Sequence, residues 1–164
     1  MPKITDTVLI FGKSEFIKQV DLQKMLNLGY TTFAINDHDF ETDFVVFVDD
    51  YMAKRHSDLK GTLITQSRHA VREPFIYFDN FSYNFTHDYL LKWLHGRCAR
   101  AILIGAADFE GDKHYNSDIK FIYSENAKRR SIKYIEAIKD IEIFKMNPNG
   151  ILNIPTVDID VLKS

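Results

Sequence analysis

The 164-residue sequence predicts an α/β fold with a mainly parallel central sheet flanked by helices. Three observations predict it. Short, continuous apolar runs recur along the chain, as strands buried on both faces require. Helically spaced stretches alternate with them, the order that parallel strands and their crossovers produce. Clusters of Gly, Asn and Asp follow several of the runs, as turns do.

The elements follow in order. Thr7–Phe11 is an unbroken apolar strand that stops at Gly12. Residues 21–26 put Leu22, Met25 and Leu26 on one helical face, and Gly29 is a stop signal. A second strand, Thr31–Ile35, ends at Asn36 and Asp37; a third, over 43–48, ends at Asp49 and Asp50, with a helix expected to begin near Tyr51. Residues 62–65 and 74–78 are two shorter strands, and 79–85 form a loop rich in aromatics. Thr86 suits the N-cap of a helix through about Arg97 whose buried face is Tyr89, Leu90, Trp93 and Leu94. Residues 101–105 are the clearest central strand after the first. A polar loop over 106–124 leads into a helix from about Glu125 to Asp140, with Ile132, Ile135 and Ile138 turned inward. A last strand over 141–146 meets the turn Asn147-Pro148-Asn149-Gly150. This is a single Rossmann-like domain over 1–164. Right-handed crossovers bring every strand-to-helix loop to one sheet edge, where open sheets bind their ligands.

Composition narrows the function classes. A formal net charge of -2 gives no general attraction to nucleic acid or an anionic membrane. Cys98 is the only cysteine, so no intramolecular disulfide and no multi-cysteine metal site can form, which fits a reducing compartment. No run approaches the roughly 18–20 apolar residues of a membrane span. The first residues lack the apolar stretch of a signal peptide. A soluble, cytoplasmic protein is the expectation. The 13 Phe and 8 Tyr should be mostly core, with a fraction lining a site.

Candidate site residues gather after the strands. Gly12 lets backbone approach a ligand closely, and Lys13 and Ser14 suit a phosphate. The loop misses the Walker A spacing, because Thr7 stands where the first Gly belongs, and the G-x-G-x-x-G pattern, because Ser14 and Ile17 replace its later glycines. Asn36, Asp37, His38 and Asp39 suit a base or ribose, or simply a capped polar turn. Asp49 and Asp50 suit a cation or the N-cap of the next helix. The loop after the central strand holds Asp108, Glu110, Asp112, His114 and Tyr115. His114 is a candidate general base, since imidazole titrates near neutrality. Asn147 and Asn149 would lie at the same edge. No H-E-x-x-H, no G-x-S-x-G and no cysteine-nucleophile signature around Cys98 points elsewhere. Lys128, Arg129, Arg130 and Lys133 read as a solvated helix face.

Four blocks together carry a resemblance. Val8 to Gly12, Phe33 to Asn36, Ile102 to Phe109 and Asn147 to Gly150 resemble, in that order, the small bacterial sialyltransferase-like family, including related Rossmann-like proteins of unassigned function. The family's Gly-Asn-Gly-Pro-Ser loop is replaced here by Gly12-Lys13-Ser14-Glu15-Phe16, and its lid insertion is missing or much reduced. The resemblance implies a glycosyltransferase that binds a cytidine-nucleotide sugar and works without an essential metal; no cofactor is expected. It implies donor-site roles for Gly12, Ser14, Asn36, Asp108 and Asn149, and a general-base role for His114; Lys13 joins them as the phosphate contact that its own loop offers. The alternatives are a degenerate, non-catalytic nucleotide-binding module and a protein-interaction domain that presents the aromatic segment from Phe75 to Tyr89.

Overall fold

Seven apolar runs become strands, and every pair is parallel. The computed structural model describes residues 3–50, 53, 60–67, 74–80 and 82–158. In chain order the strands are β1 (Thr7–Phe11), β2 (Thr31–Ile35), β3 (Phe44–Phe47), β4 (Thr62–Thr65), β5 (Phe75–Tyr77), β6 (Arg100–Ile104) and β7 (Glu142–Lys145). They form one sheet in the order β5-β4-β3-β2-β1-β6-β7. β1 is central: Val8 to Phe11 pair with Thr31 to Ala34 on one side, and Thr7 to Phe11 pair with Arg100 to Ile104 on the other.

Alternation along each strand sorts side chains onto the two faces of the sheet. Val8, Ile10, Ala101 and Leu103 face one layer; Leu9, Phe11, Ile102 and Ile104 face the other, and all eight are fully buried. This is why β1 and β6 read as continuous apolar runs rather than alternating ones. The larger core takes the helix α2 (Thr86–Leu94), whose Tyr89, Leu90, Trp93 and Leu94 are buried as the helical spacing predicts. Phe33 and Phe44 stack at 4.7 Å, and Trp93 packs against both. Each such side chain contributes roughly 1.5–3 kcal/mol by leaving water. The helix α3 (Glu125–Ala137) lies on the same face, with Ile135 buried and Ile132 and Ile138 half-buried. On the other face one cluster lies under Ile17 and Met25, from a 3-10 turn (Glu15–Gln19) and the short helix α1 (Leu22–Leu26), and a smaller one joins Val45, Phe47, Ala53 and Leu63.

Helix ends differ from the sequence expectation for local reasons. The N-cap of α2 is Phe85, not Thr86, because the carboxylate of Asp88 reaches back to accept from the Phe85 backbone N–H at 3.1 Å. A phenylalanine has no acceptor to reciprocate, so only half of a capping box forms. α2 closes at Leu94 and α3 at Ala137, each a turn earlier than expected, where His95 and Ile138 leave the helical conformation. The helix expected near Tyr51 falls mostly outside the described residues.

Topology places the site. The chain begins at the middle of the sheet, steps outward through β2, β3 and β4 to β5, then returns along α2 to β6 on the other side of β1. β1 and β6 therefore flank the switch point, where the crossovers diverge and leave a crevice at the carboxyl ends of the strands. Among the described residues no helix is long and apolar enough to cross a membrane.

Candidate functional site

The switch point is pinched at its base. The backbone N–H of Gly12 donates to Ile104 O at 2.9 Å, and that of Ser14 donates to Gly105 O at 3.0 Å. A Cβ on Gly12 would stand 2.2 Å from Gly105 O and 2.4 Å from Ala106 Cα. Only glycine lets the two loops run this close.

Above the pinch is a cavity of about 120 Å³. Gly12, Lys13 and Ser14 line it from the first loop, and Asn36 from the loop after β2. Asp108, Phe109, His114 and Tyr123 line it from the long loop after β6. Phe85, Thr86 and His87 close it from the start of α2. Backbone strain converges here too. Asn36, Ala107 and Phe109 have φ of 62°, 55° and 51°, the only positive values at non-glycine positions among the described residues, and all three line the cavity. Asn adopts this conformation readily; for Ala and Phe it costs roughly 1 kcal/mol or more each. Such strain persists where surrounding packing enforces it, most often at functional sites.

Asp108 ties three loops together. Its Oδ2 accepts from Ser14 Oγ at 2.6 Å and from Asn147 Nδ2 at 3.0 Å. Asn147 Nδ2 also reaches Glu110 Oε2 at 3.0 Å, and Asn147 Oδ1 accepts from the Asn149 N–H at 3.0 Å. Burial raises the Asp108 pKa, and its two donors work in the opposite direction. The carboxylate is 3 % exposed and committed to this lattice, so it orients Ser14 and Asn147. Burial, with the charge of Asp108 second, pushes the Tyr123 phenol up to about 12, leaving it an O–H donor.

Lys13 lines the cavity, but its ammonium is held elsewhere. Nζ donates to Asp37 O at 2.6 Å and pairs with Asp37 Oδ1 at 2.9 Å. The Asn116 amide donates to the same Asp37 carbonyl, and the Tyr115 N–H donates to Lys13 O, so the long loop is laced onto the first two. His114 is half-buried and makes no side-chain hydrogen bond among the described residues; burial, then the Lys13 charge, lowers its pKa. It is therefore neutral at physiological pH and able to accept a proton.

Six of the seven site residues expected from sequence line this cavity: Gly12, Lys13, Ser14, Asn36, Asp108 and His114. Asn149 does not. It is exposed in the turn after β7, at the same sheet edge, and Asn147 is the residue that reaches Asp108. Asp49 and Asp50 are exposed and stand outside the cavity. His38, grouped with its loop in the sequence, is buried beneath it: Nε2–H donates to Ile35 O at 3.1 Å, and Nδ1 meets Tyr115 OH at 2.8 Å. Sequence reasoning missed Phe85, Thr86 and His87, which sit before a buried helix face rather than after a strand. Among the described residues no three His, Cys, Asp or Glu side chains gather as a metal site requires.

Fold and cavity together define a parallel-sheet α/β protein with a polar recess at its topological switch point. No protein-family model, curated protein or solved structure matches the chain.

Proposed function

We propose that the cavity binds a nucleotide-linked sugar and that the protein is a sialyltransferase-like glycosyltransferase. One observation carries the reading. Candidate residues of three separate strand-end loops line a single recess at the switch point of the sheet. Ligands of open parallel sheets bind there. Ser14, Asn36 and the phenol of Tyr123 supply polar contacts, and Phe85 and Phe109 supply apolar wall. A neutral imidazole on the wall is what removal of a proton from an acceptor hydroxyl needs; His114 is the one the resemblance selects. The choice of cytidine as the base rests on the resemblance alone, and cytoplasmic placement on the single cysteine.

Size bears on the pose. At about 120 Å³ the recess is smaller than the roughly 300–1,000 Å³ of ordinary small-molecule pockets. It suits the reacting end of a donor, with the base lying over the loops. The Asp37 clamp on Lys13 favours a second reading, a nucleotide-binding module without turnover, because the one cation of the first loop is already neutralised.

Titration calorimetry with cytidine, cytidine monophosphate and its sialic acid conjugate tests the proposal. Heat from the conjugate and the monophosphate, with release of the monophosphate on incubation with sugar acceptors, is the expected result. Binding without release selects the module. No heat from any of the three at millimolar concentration overturns both readings.

A further inference from the structure

His87 begins a buried chain of three polar groups. Its Nε2 lies 2.8 Å from Ser131 Oγ, and Ser131 Oγ–H donates to Asp88 Oδ1 at 2.8 Å. Ser131 and Asp88 are 0 % and 1 % exposed. The direction of the chain is fixed by what each group can do. A carboxylate only accepts, so the single hydroxyl proton goes to Asp88, and the serine oxygen must then accept from the imidazole. His87 therefore carries its proton on Nε2. Burial lowers its pKa, with the Asp88 charge opposing, so the ring is neutral and Nδ1 holds a bare lone pair.

His87 lines the cavity. Nδ1 has no partner among the described residues. Yet the only buried, unpartnered side-chain polar atom among them is Gln66 Oε1. Nδ1 is thus accessible, and the recess His87 lines is where it opens. The ring cannot turn away. Phe85 stacks on it at 5.2 Å with 14° between planes, Phe109 meets it edge-on at 5.6 Å, and Ser131 holds its far side. A base oriented by a second group, itself oriented by a third, is the arrangement by which proteins make a nucleophile's proton acceptor. His114 has no such support.

We propose that His87, oriented by Ser131 and Asp88, is the proton-accepting catalytic residue of the cavity. Under the glycosyl-transfer reading, on which the reaction itself rests, the acceptor oxygen forms its bond to the anomeric carbon as its proton passes to His87 Nδ1. The bond from that carbon to the donor phosphate breaks, and its electron pair leaves with the nucleotide monophosphate. The imidazolium that forms keeps its Nε2–H on Ser131 and lies 3.4 Å from Asp88 Oδ1, whose charge stabilises it.

The test has two arms on the full chain. Long-range ¹⁵N–¹H spectra of the imidazoles at neutral pH, with His87 assigned by comparison with His87→Gln, read the tautomer without turnover. An unprotonated Nδ1 and protonated Nε2 are expected, with Ser131→Ala populating the opposite tautomer; a protonated Nδ1 in the wild type overturns the proposal whatever the ligand. In the second arm, monophosphate release from the sialic acid conjugate is followed in His87→Gln, whose amide preserves a donor for Ser131, and in His114→Gln. His87→Gln should lower kcat at least about 100-fold while donor KM stays within about 3-fold. His114→Gln, also on the cavity wall, should lower kcat by a smaller factor than His87→Gln does. The reverse ranking overturns the proposal. If the wild type releases nothing, the glycosyl-transfer reading fails by itself, and the tautomer alone decides for or against His87.

Discussion

The loop after β2 and the start of α2 each bury a histidine, and they use it in opposite ways. His38 spends both ring nitrogens inside the protein, its Nε2–H on Ile35 O and its Nδ1 on Tyr115 OH, whose single proton is shared between Nδ1 and Asp39 Oδ1 at 2.9 Å. His87 spends only one, on Ser131 Oγ, and its ring lines the cavity. The two are equally hidden, at 6 % and 8 % exposed. What separates a histidine that holds a loop from one that can act on a ligand is the count of nitrogens left over, not burial.

The pH dependence of stability gives the largest expected effect. Burial, then the Lys13 charge, pulls the His38 pKa from 6.5 down to about 3. The folded value lies below the unfolded one, so the unfolded chain takes up the proton first as pH falls. Stability from this group is fully present above about 6.5 and drains away toward pH 3. Urea unfolding should lose on the order of 3 kcal/mol from this source between pH 7 and pH 4. His38→Gln should remove most of that slope. His87, shifted in the same direction, should contribute a further slope that His87→Gln removes.

Truncation at neutral pH sharpens the contrast. His38→Ala removes the imidazole donor to Ile35 O and one of the two partners of the Tyr115 hydroxyl, leaves a hole where the buried ring stood, and should cost about 2–3 kcal/mol in chemical unfolding. His87→Gln should cost less than about 1 kcal/mol, because the amide can still donate to Ser131. A larger loss in His87→Gln than in His38→Ala would make His87 the structural residue and break the comparison.

Ser131→Ala leaves Asp88 without its Oδ1 donor and should cost about 1–2 kcal/mol. Ala107→Gly should be the smallest effect and of opposite sign. It relieves the φ of 55° and should stabilise by about 0.5–1 kcal/mol, measurable as a raised Tm.

Much of this was legible from the chain, and the illegible part has a physical reason. β1 and β6 were readable because a strand covered on both faces must be apolar at every position. The strand-end half of the cavity followed from topology, since parallel strands end on one side. The α2 half did not. His87 becomes a site residue only through Ser131, 44 positions along the chain, and no local pattern announces that pairing. One trace was available: His87 and Asp88 stand directly ahead of Tyr89, Leu90 and Leu91 in a run that is buried throughout. In the turn after β7 the residue types are legible but not which amide faces inward, so that Asn147 rather than Asn149 reaches Asp108 emerges only from the fold. The strain at Ala107 and Phe109 had no signal at all, as neither residue type favours positive φ.

Chemical modification tests the contrast most directly. Diethyl pyrocarbonate attacks unprotonated, accessible imidazole nitrogen, and peptide mass spectrometry after brief treatment at neutral pH reads each histidine separately. His87 should be modified while His38 is spared, and cytidine monophosphate in the cavity should slow the reaction at His87. Equal protection of the two histidines, or modification of His38 first, would contradict the account.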